Sequence, residues 1–557
     1  MFTLDSPHFI SLLCALSFSL LVHLALGGFT NTFRNFLVSI ILFPVILMGL
    51  TLIVPQDFLQ YSSYLYIVIG LGLAFYKMPL RFKNIPQFES KEKWILFGVF
   101  IYLFSSFYMS TTIFRNGGGI QDALVYHLEG PKEWALYLNG AKFNANNPIA
   151  FTTSYYDYYY YFLFLLAKPF FIYAAPLAST QYEFFSYTML LTAQTFSGII
   201  AFVYIPLLIL RFSSSLGLYK YLVIFFIYGL RLFTWSWILP KNDPYPFLCF
   251  LLAVEIFYHY YIEKKNNENV FFLFLAALVL GIGTASKMTN AYVVIFSLLF
   301  LVSFYYRQMV TYLTKIGVTK SIGIVSLGLL LGVSLFLIRN YSFTGNPFFP
   351  IAKFGFKNIY LSAYADRPQL YSEPEAWAGA LVKIKAHLWA FPQLILLLVA
   401  AFFLRLRGLS LFYVAMVVYM SKQTGPMYRF RMTNVFLILD LILFILVTKV
   451  LIQLPWFKKN IWLPRIFVVL VVGFSTIQVE KLFKYPMRYY SEPVGKLIAN
   501  VHENWEMLLQ NNLENRSNPQ YVLATKTEVF PYFSRFPIIS LYDSVPEHRY
   551  EYYKNAK

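Results

Sequence analysis

Charged residues are scarce in this chain of 557 residues: Asp, Glu, Lys and Arg together make up 13% of the sequence. A soluble domain carries about 25% charged residues. Hydrophobic residues here reach 58%, and the mean hydropathy is +0.57. This balance excludes an ordinary soluble globular protein and indicates a protein that lies in a membrane.

Cysteine and acidic residues are also few. Cys14 and Cys249 both fall inside apolar runs, so the sequence implies no disulfide or metal framework. The net charge of +19 would suggest nucleic acid in a soluble protein, but cytoplasmic loops rich in Lys and Arg explain it in a membrane protein. The first apolar run has no basic residue before it, so we interpret it as a retained helix and not as a signal peptide.

Long apolar runs recur along the chain. They approach the 17–25 residues that a helix needs to cross a bilayer. They are apolar on all sides and lack the alternation of a β-barrel strand. The sequence therefore predicts an all-α polytopic membrane protein with about fourteen transmembrane helices. We place these at 8–27, 34–54, 59–77, 94–112, 186–210, 221–239, 244–262, 270–286, 291–306, 321–338, 391–404, 409–421, 432–450 and 463–479.

The distribution of basic residues predicts the orientation. The connection after the third run carries Lys77, Arg81, Lys83, Lys91 and Lys93, which is typical of a cytoplasmic loop. Counting from this loop places the N-terminus outside and the other strongly basic short loops inside.

Two long connections, 113–185 and 339–390, then face outward from a transmembrane domain that covers 1–479. The tail, 480–557, has a mixed composition with a helical stretch near 493–512. It also has strand-like pieces at 521–525 and 537–542. We predict that it forms a small extracytoplasmic α/β cap.

The first outer connection begins with GGGIQDALVYHLEGPKEWA at 117–135. Its glycines allow a tight backbone turn. Asp122 and Tyr126 are four residues apart and share a helical face, with His127 adjacent and Glu133 further along a short helix at the membrane interface. Taken alone, Asp122 could instead be a helix N-cap, and His127 could be a structural histidine.

The segment 155–171, YYDYYYYFLFLLAKPFF, is apolar and rich in tyrosine. A crossing here would reverse the charge bias of every later loop. We therefore predict a helix lying flat at the interface, with most of its tyrosines forming an aromatic belt.

Cations gather at the outer ends of several helices. Lys241 and Asp243 lie in one outer connection, and Lys287, Arg339 and Arg429 lie at others. Any one of these cations could simply mark a helix end by reaching toward water. Their gathering on the side where positive charge is normally depleted favours a site for a phosphate-bearing ligand.

Two carboxylates, Glu255 and Asp440, fall inside predicted crossings. Such residues raise the possibility of a transporter. The sequence shows no basic partner for either residue inside the membrane, so we rank this interpretation second.

These segments resemble the GT-C glycosyltransferases, polytopic enzymes that use lipid-phosphate sugars. DALVYHLEGPKEWA is similar to their Asp-containing first outer loop. The similarity is closest to bacterial relatives of the lipid A aminoarabinose transferase, the protein mannosyltransferases and the rhizobial lipopolysaccharide-core transferases. KNDPYPFLCFLLAVEIFYHYY resembles the second acidic position of the family. GIGTASKMTNAYVVIF and IRNYSFTGNPFFPI resemble segments of further bacterial relatives, and the resemblance covers 94–350.

The resemblance implies an inverting transfer of a sugar from a polyprenyl-phosphate donor to a glycolipid, lipopolysaccharide, glycan or protein. The site would face outward from the plasma (inner) membrane. Asp122 would be the catalytic base, and Asp243 would orient the acceptor or hold a divalent metal ion, the only cofactor that the resemblance suggests. Fixed cations would stabilise the leaving phosphate. The residues implied for phosphate are Arg339, Lys287 and Arg429, and those implied for other substrate contacts are Tyr126, His127, Lys241 and Glu133.

Three other functions fit parts of the sequence. An O-antigen ligase or polymerase would have one dominant outer loop rich in Arg and His. A lipid flippase or transporter would have paired charges at the midplane and inverted repeats. A catalytically inactive relative acting as a scaffold would share every feature above.

Overall fold

The structure of this protein is a computed structural model. The described residues are 6–83, 90–112, 127–136, 138, 140–141, 154–174, 179–230, 244–263, 269–286, 310–311, 314–348, 391–403, 406–424, 433–487, 522–524 and 538–540.

The described chain is almost entirely helical. In chain order the helices are α1 Ser6–Gly28, α2 Phe33–Thr51, α3 Gln56–Lys83, α4 Ser90–Thr112, α5 Glu129–Leu136, α6 Asp157–Ala174, α7 Ser179–Ile199, α8 Ile205–Phe212, α9 Lys220–Gly229, α10 Pro244–Phe257, α11 Val270–Ser286, α12 Val318–Thr344, α13 Phe391–Phe402, α14 Arg407–Thr424, α15 Thr433–Gln453, α16 Pro455–Lys459 and α17 Trp462–Met487. A π-helical turn, Ile200–Tyr204, joins α7 to α8, and a second one, Tyr258–Glu263, extends α10.

Five of the described helical segments are long and apolar enough to cross a membrane: Phe9–Gly28, Phe33–Ile53, Gln56–Lys77, Phe185–Phe212 and Val318–Thr344. The chain is therefore a helical protein suited to a membrane. Helices also occupy the other predicted runs, as far as these lie within the described residues. The run at 221–239 is described only to residue 230, and the run at 291–306 lies outside the described residues.

Two short strands occur in the tail, within the pieces that the sequence predicted as strand-like. β1, Val522–Ala524, pairs in parallel with β2, Ile538–Ser540, so that Val522 faces Ile538. The predicted helix near 493–512 lies outside the described residues.

Polar contacts tie several helix ends together at one end of the bundle. Lys77 Nζ, near the end of α3, donates to the Gly28 carbonyl at the end of α1, 2.9 Å away. Lys220 Nζ, at the start of α9, lies 2.7 Å from a Glu92 carboxylate oxygen at the start of α4. All four residues lie at helix ends that the charge pattern predicts to be on the same side of the membrane.

Glu255 corrects the sequence interpretation, because it does have basic partners. Arg34 donates to its two carboxylate oxygens from Nε at 2.8 Å and from Nη2 at 2.7 Å, and Arg211 Nε lies 3.0 Å away. The Arg34–Glu255 pair has no local signal in the sequence, because 221 residues separate its members. Asp440, the second acid that falls inside a predicted crossing, accepts a hydrogen bond of 2.7 Å from the Tyr413 hydroxyl.

The tyrosines of the 155–171 segment do not form a lipid-facing belt, and that prediction is wrong. Tyr155, Tyr156 and Tyr158–Tyr161 are all 0% exposed. The helix α6 is enclosed by α2, α3, α5 and α7, and Trp134 of α5 lies 5.4 Å from the Tyr158 ring. Tyrosine suits both a membrane interface and a protein core, because its ring is apolar and its hydroxyl is polar.

A close crossing of α11 and α12 determines where the end of α12 lies. A Cβ on Gly332 would lie 2.6 Å from the Leu278 carbonyl oxygen, and a Cβ on Gly281 would lie 2.5 Å from the Leu329 carbonyl oxygen. Only glycine allows the two backbones to approach this closely. Arg339 follows Gly332 by two turns, so this crossing also positions Arg339.

Candidate functional site

The beginning of α6 carries a helix cap that the sequence encodes locally. In the stretch Ser154–Asp157, the Asp157 carboxylate reaches back to accept hydrogen bonds from the Ser154 backbone N–H at 2.7 Å and from its hydroxyl at 3.1 Å. A serine followed by an acid three residues later is the pattern of a capping box, in which the acid satisfies a backbone donor at the helix start. The cap fixes the position of the Asp157 carboxylate.

The second oxygen of that carboxylate holds His127. His127 Nδ1 lies 2.8 Å from Asp157 Oδ1, and the two residues are 5% and 0% exposed. A carboxylate only accepts hydrogen bonds, so Nδ1 carries the hydrogen and, in a neutral ring, Nε2 is the acceptor. The pair thus fixes the tautomer and the orientation of an imidazole just before α5.

Tyr155 connects this pair to α12. Its hydroxyl accepts a hydrogen bond of 3.0 Å from the Phe336 backbone N–H. Burial raises the pKa of the Tyr155 phenol above its ordinary value, and the hydrogen bond from Phe336 and the positive charge of Arg339 offset part of this rise. Phe336, whose backbone contacts Tyr155 and whose ring lies 5.2 Å from the Arg339 guanidinium, therefore links Tyr155 to Arg339.

Arg339 is a fully buried cation on the last turns of α12, at 0% exposure. Its Nε and Nη2 donate to the side-chain oxygen of Asn340 at 3.2 and 2.8 Å, and its guanidinium lies 5.2 Å from the Phe336 ring centroid. Gly345 ends the helix in a left-handed conformation with φ 68°.

The helix α5 packs on α6 beside the His127 pair. The sequence predicted a short helix here at the membrane interface, and residues 129–135 of α5 are all buried within the protein. Gln56, at the start of α3, donates a hydrogen bond of 2.6 Å to the Ala135 carbonyl. The start of α3 thus lies at the same end of the bundle as α5 and the beginning of α6.

Glu129 is the first residue of α5, and its side chain is enclosed at 0% exposure. Neither carboxylate oxygen has a hydrogen-bond partner among the described residues, and the Lys132 Nζ lies 3.9 Å away, beyond hydrogen-bond distance. Burial raises the pKa of Glu129 to about 7, and the charge of Lys132 offsets part of that rise.

Three of the predicted site residues are described, and all three are buried at this end of the molecule. His127 pairs with Asp157, Arg339 neighbours Tyr155, and Glu133 lies on α5 at 2% exposure. The other predicted site residues lie outside the described residues: Asp122, Tyr126, Lys241, Asp243, Lys287 and Arg429. In the described part of the chain, no three His, Cys, Asp or Glu side chains come together in a way that could hold a metal ion.

The sequence interpretation missed Asp157, Tyr155 and Glu129. A signal for Asp157 was present, because Ser154 precedes it by three residues at the start of an apolar run. Tyr155 was hidden among its neighbouring tyrosines, and Glu129 had no local feature that distinguished it from a solvated helix residue.

Comparison with known proteins gives no relative: no protein-family model matches the chain, and neither a curated protein nor a solved structure is significantly similar to it.

Proposed function

We propose that this protein is an inverting glycosyltransferase of the GT-C type. It would transfer a sugar from a polyprenyl-phosphate donor to a glycolipid, lipopolysaccharide, glycan or protein. In this proposal the chain crosses the plasma membrane about fourteen times, the site faces outward, and the tail forms an α/β cap on the same side. Asp122 is the proposed base, and Asp243 orients the acceptor or binds a divalent metal ion.

One observation supports this proposal more than any other. Residues 154–157 join a buried His–Asp pair on one side to a buried arginine on the other, at one end of a membrane-type helical bundle. A phosphate requires a fixed cation, which Arg339 supplies. A sugar requires oriented polar groups close by, which the His127–Asp157 pair supplies. Lys287 and Arg429 are the further cations proposed for the phosphate, and Tyr126 and Lys241 for the sugar.

The transporter alternative receives less support from the structure. Glu255 does pair with arginines, but Arg34 is the second residue of α2 and Arg211 lies in the last turn of α8. Both arginines therefore lie at helix ends, whereas Glu255 lies within α10, eight residues before the end of its π-helical extension. This arrangement is suited to tying α2, α8 and α10 together.

Binding of polyprenyl phosphate to purified protein tests the role of Arg339. Arg339→Ala should weaken binding roughly 10-fold or more, because a charge-assisted hydrogen bond contributes about 1.5–3 kcal/mol. Arg339→Lys should recover only part of the affinity, since lysine cannot make two parallel contacts. The matched control is Arg407→Ala, which removes an exposed arginine that donates to the Ala401 carbonyl.

Equal binding by the Arg339→Ala and Arg407→Ala variants would remove Arg339 from the site. Sidedness is checked separately in intact cells: a cysteine at position 118 should react with a membrane-impermeant thiol reagent added from outside, and one at position 85 should not. The reverse labelling would contradict the proposed orientation. Release of polyprenyl phosphate from a sugar-bearing donor, lost in Asp122→Asn, would test the transfer itself.

A further inference from the structure

Glu129 is a buried acid for which the described protein supplies no hydrogen-bond donor. An ionised carboxylate is costly to bury unless it is paired and hydrogen-bonded. Lys132 is three residues away on the same helix, but its Nζ is 3.9 Å from the nearer carboxylate oxygen. Both oxygens of Glu129 are therefore acceptors with no donor in the described part of the chain.

The neighbouring acid, Asp157, shows what a structural carboxylate looks like in this protein. It is equally buried, but it accepts hydrogen bonds from the Ser154 N–H, the Ser154 hydroxyl and the His127 ring. Asp157 caps a helix and orients a side chain. Glu129, two residues after His127, has no such partner, so neither a capping role nor an orienting role explains it.

A ligand that brings its own donors would satisfy Glu129. Two neighbouring hydroxyls can donate to the two oxygens of one carboxylate, and in dinucleotide sites an acidic side chain accepts a hydrogen bond from a ribose hydroxyl. A sugar is the chemical class that presents adjacent hydroxyls. A lipid phosphate without a sugar presents only acceptors and negative charge, which a carboxylate would repel.

We propose that Glu129 binds neighbouring hydroxyl groups of the sugar and determines whether a sugar-bearing lipid is preferred over the bare lipid phosphate. This inference rests on the proposed function, because it places the sugar beside α5 and the phosphate toward Arg339. It assigns separate parts of one ligand to two residues: Arg339 binds the phosphate, and Glu129 binds the sugar.

The experiment measures the binding of two probes to purified protein at pH 7.5: polyprenyl phosphate and polyprenyl phosphate carrying one hexose. The wild-type protein should bind the hexose-bearing lipid at least 10-fold more tightly. Glu129→Gln should reduce this preference about 10-fold and leave the affinity for polyprenyl phosphate unchanged. Arg339→Ala should weaken the binding of both probes. Glu92→Gln, at the opposite end of the bundle, serves as the control and should change neither affinity.

Glutamine has nearly the shape of glutamate, and gel filtration and thermal unfolding verify that the variant is folded. Glu129→Asp, which keeps the charge but shortens the side chain, should retain an intermediate preference and serves as a second variant. An unchanged preference in Glu129→Gln, with both probes bound, overturns the assignment of Glu129 alone. Failure of the wild-type protein to bind either probe overturns the proposed function and, with it, this inference.

Discussion

The Asp157 carboxylate holds the His127 imidazole at 2.8 Å, although 30 residues separate the two in sequence. The same carboxylate caps α6 through Ser154. One buried acid therefore fixes both the start of a core helix and the orientation of a histidine in the candidate site.

Asp157→Asn should destabilise the protein by about 1–3 kcal/mol, because an asparagine oxygen cannot serve all the donors that Asp157 satisfies. The NH2 group of the asparagine would also face at least one of those donors. Thermal unfolding of the purified protein measures this effect. Asp57→Asn is the matched control, since Asp57 is an exposed acid in the first turn of α3. A loss no larger than that of the control would mean that the His127 pair contributes nothing to the fold.

The helical part of the fold could be predicted because hydropathy alone determines it: a run such as 270–286 coincides with α11, Val270–Ser286. The burial of the tyrosines could not be predicted, because Tyr158 on a helix has the same local sequence pattern whether lipid or protein surrounds it. The Arg34–Glu255 pair could not be predicted either, since only packing brings α2 and α10 together. Of the candidate site, the sequence predicted Arg339 and His127 from charge and spacing but not the residues that connect them.

The raised pKa of Glu129 predicts a stability that falls with rising pH. The folded-state pKa of about 7 lies above the ordinary value of 4.5, so the folded protein binds more protons between these two values. The contribution of Glu129 is fully present below pH 4.5 and is lost as the pH rises through 7. The loss amounts to roughly 3 kcal/mol, since one pKa unit corresponds to about 1.4 kcal/mol.

Glu129→Gln should flatten this part of the curve, so that the variant is more stable than the wild-type protein above pH 7. Unfolding temperatures measured from pH 4.5 to pH 8 provide the test. Glu92→Gln is the control, because Lys220 and Tyr221 lower the pKa of Glu92 and any effect of that group lies at more acidic pH. A wild-type curve already flat from pH 4.5 to 8 would contradict the buried, donor-free environment of Glu129.

Glu255 should be a principal link between α2 and α10. Its removal leaves Arg34, whose side chain is 13% exposed, without its bidentate partner. Breaking a buried ion pair costs about 3–5 kcal/mol, and we expect the lower end for Glu255→Gln because Arg34 keeps some contact with solvent and with the Tyr260 hydroxyl at 2.9 Å. Urea unfolding in detergent measures the loss, and Glu92→Gln, which breaks the more exposed Lys220 pair, should cost less. If polyprenyl phosphate affinity fell together with stability in Glu255→Gln, the separation of this link from the candidate site would be wrong.

The glycines of α12 offer a comparison within one helix. An alanine methyl at Gly332 would meet the Leu278 carbonyl oxygen at 2.6 Å and the Ile282 nitrogen at 2.7 Å, and both are backbone atoms that cannot rotate away. An alanine methyl at Gly323 would meet nothing within 4 Å. Gly323→Ala should therefore leave stability unchanged or raise it by up to about 1 kcal/mol, because alanine favours the helix. Gly332→Ala should lower stability by about 1–3 kcal/mol, as overpacking does in a close-packed interior.

The shift of α12 away from α11 should also move Arg339, two turns further on, and weaken polyprenyl phosphate binding even where the protein stays folded. Thermal unfolding and lipid binding of the two variants, measured side by side, test both statements. Equal stability and equal binding would show that the α11–α12 crossing does not position the candidate site.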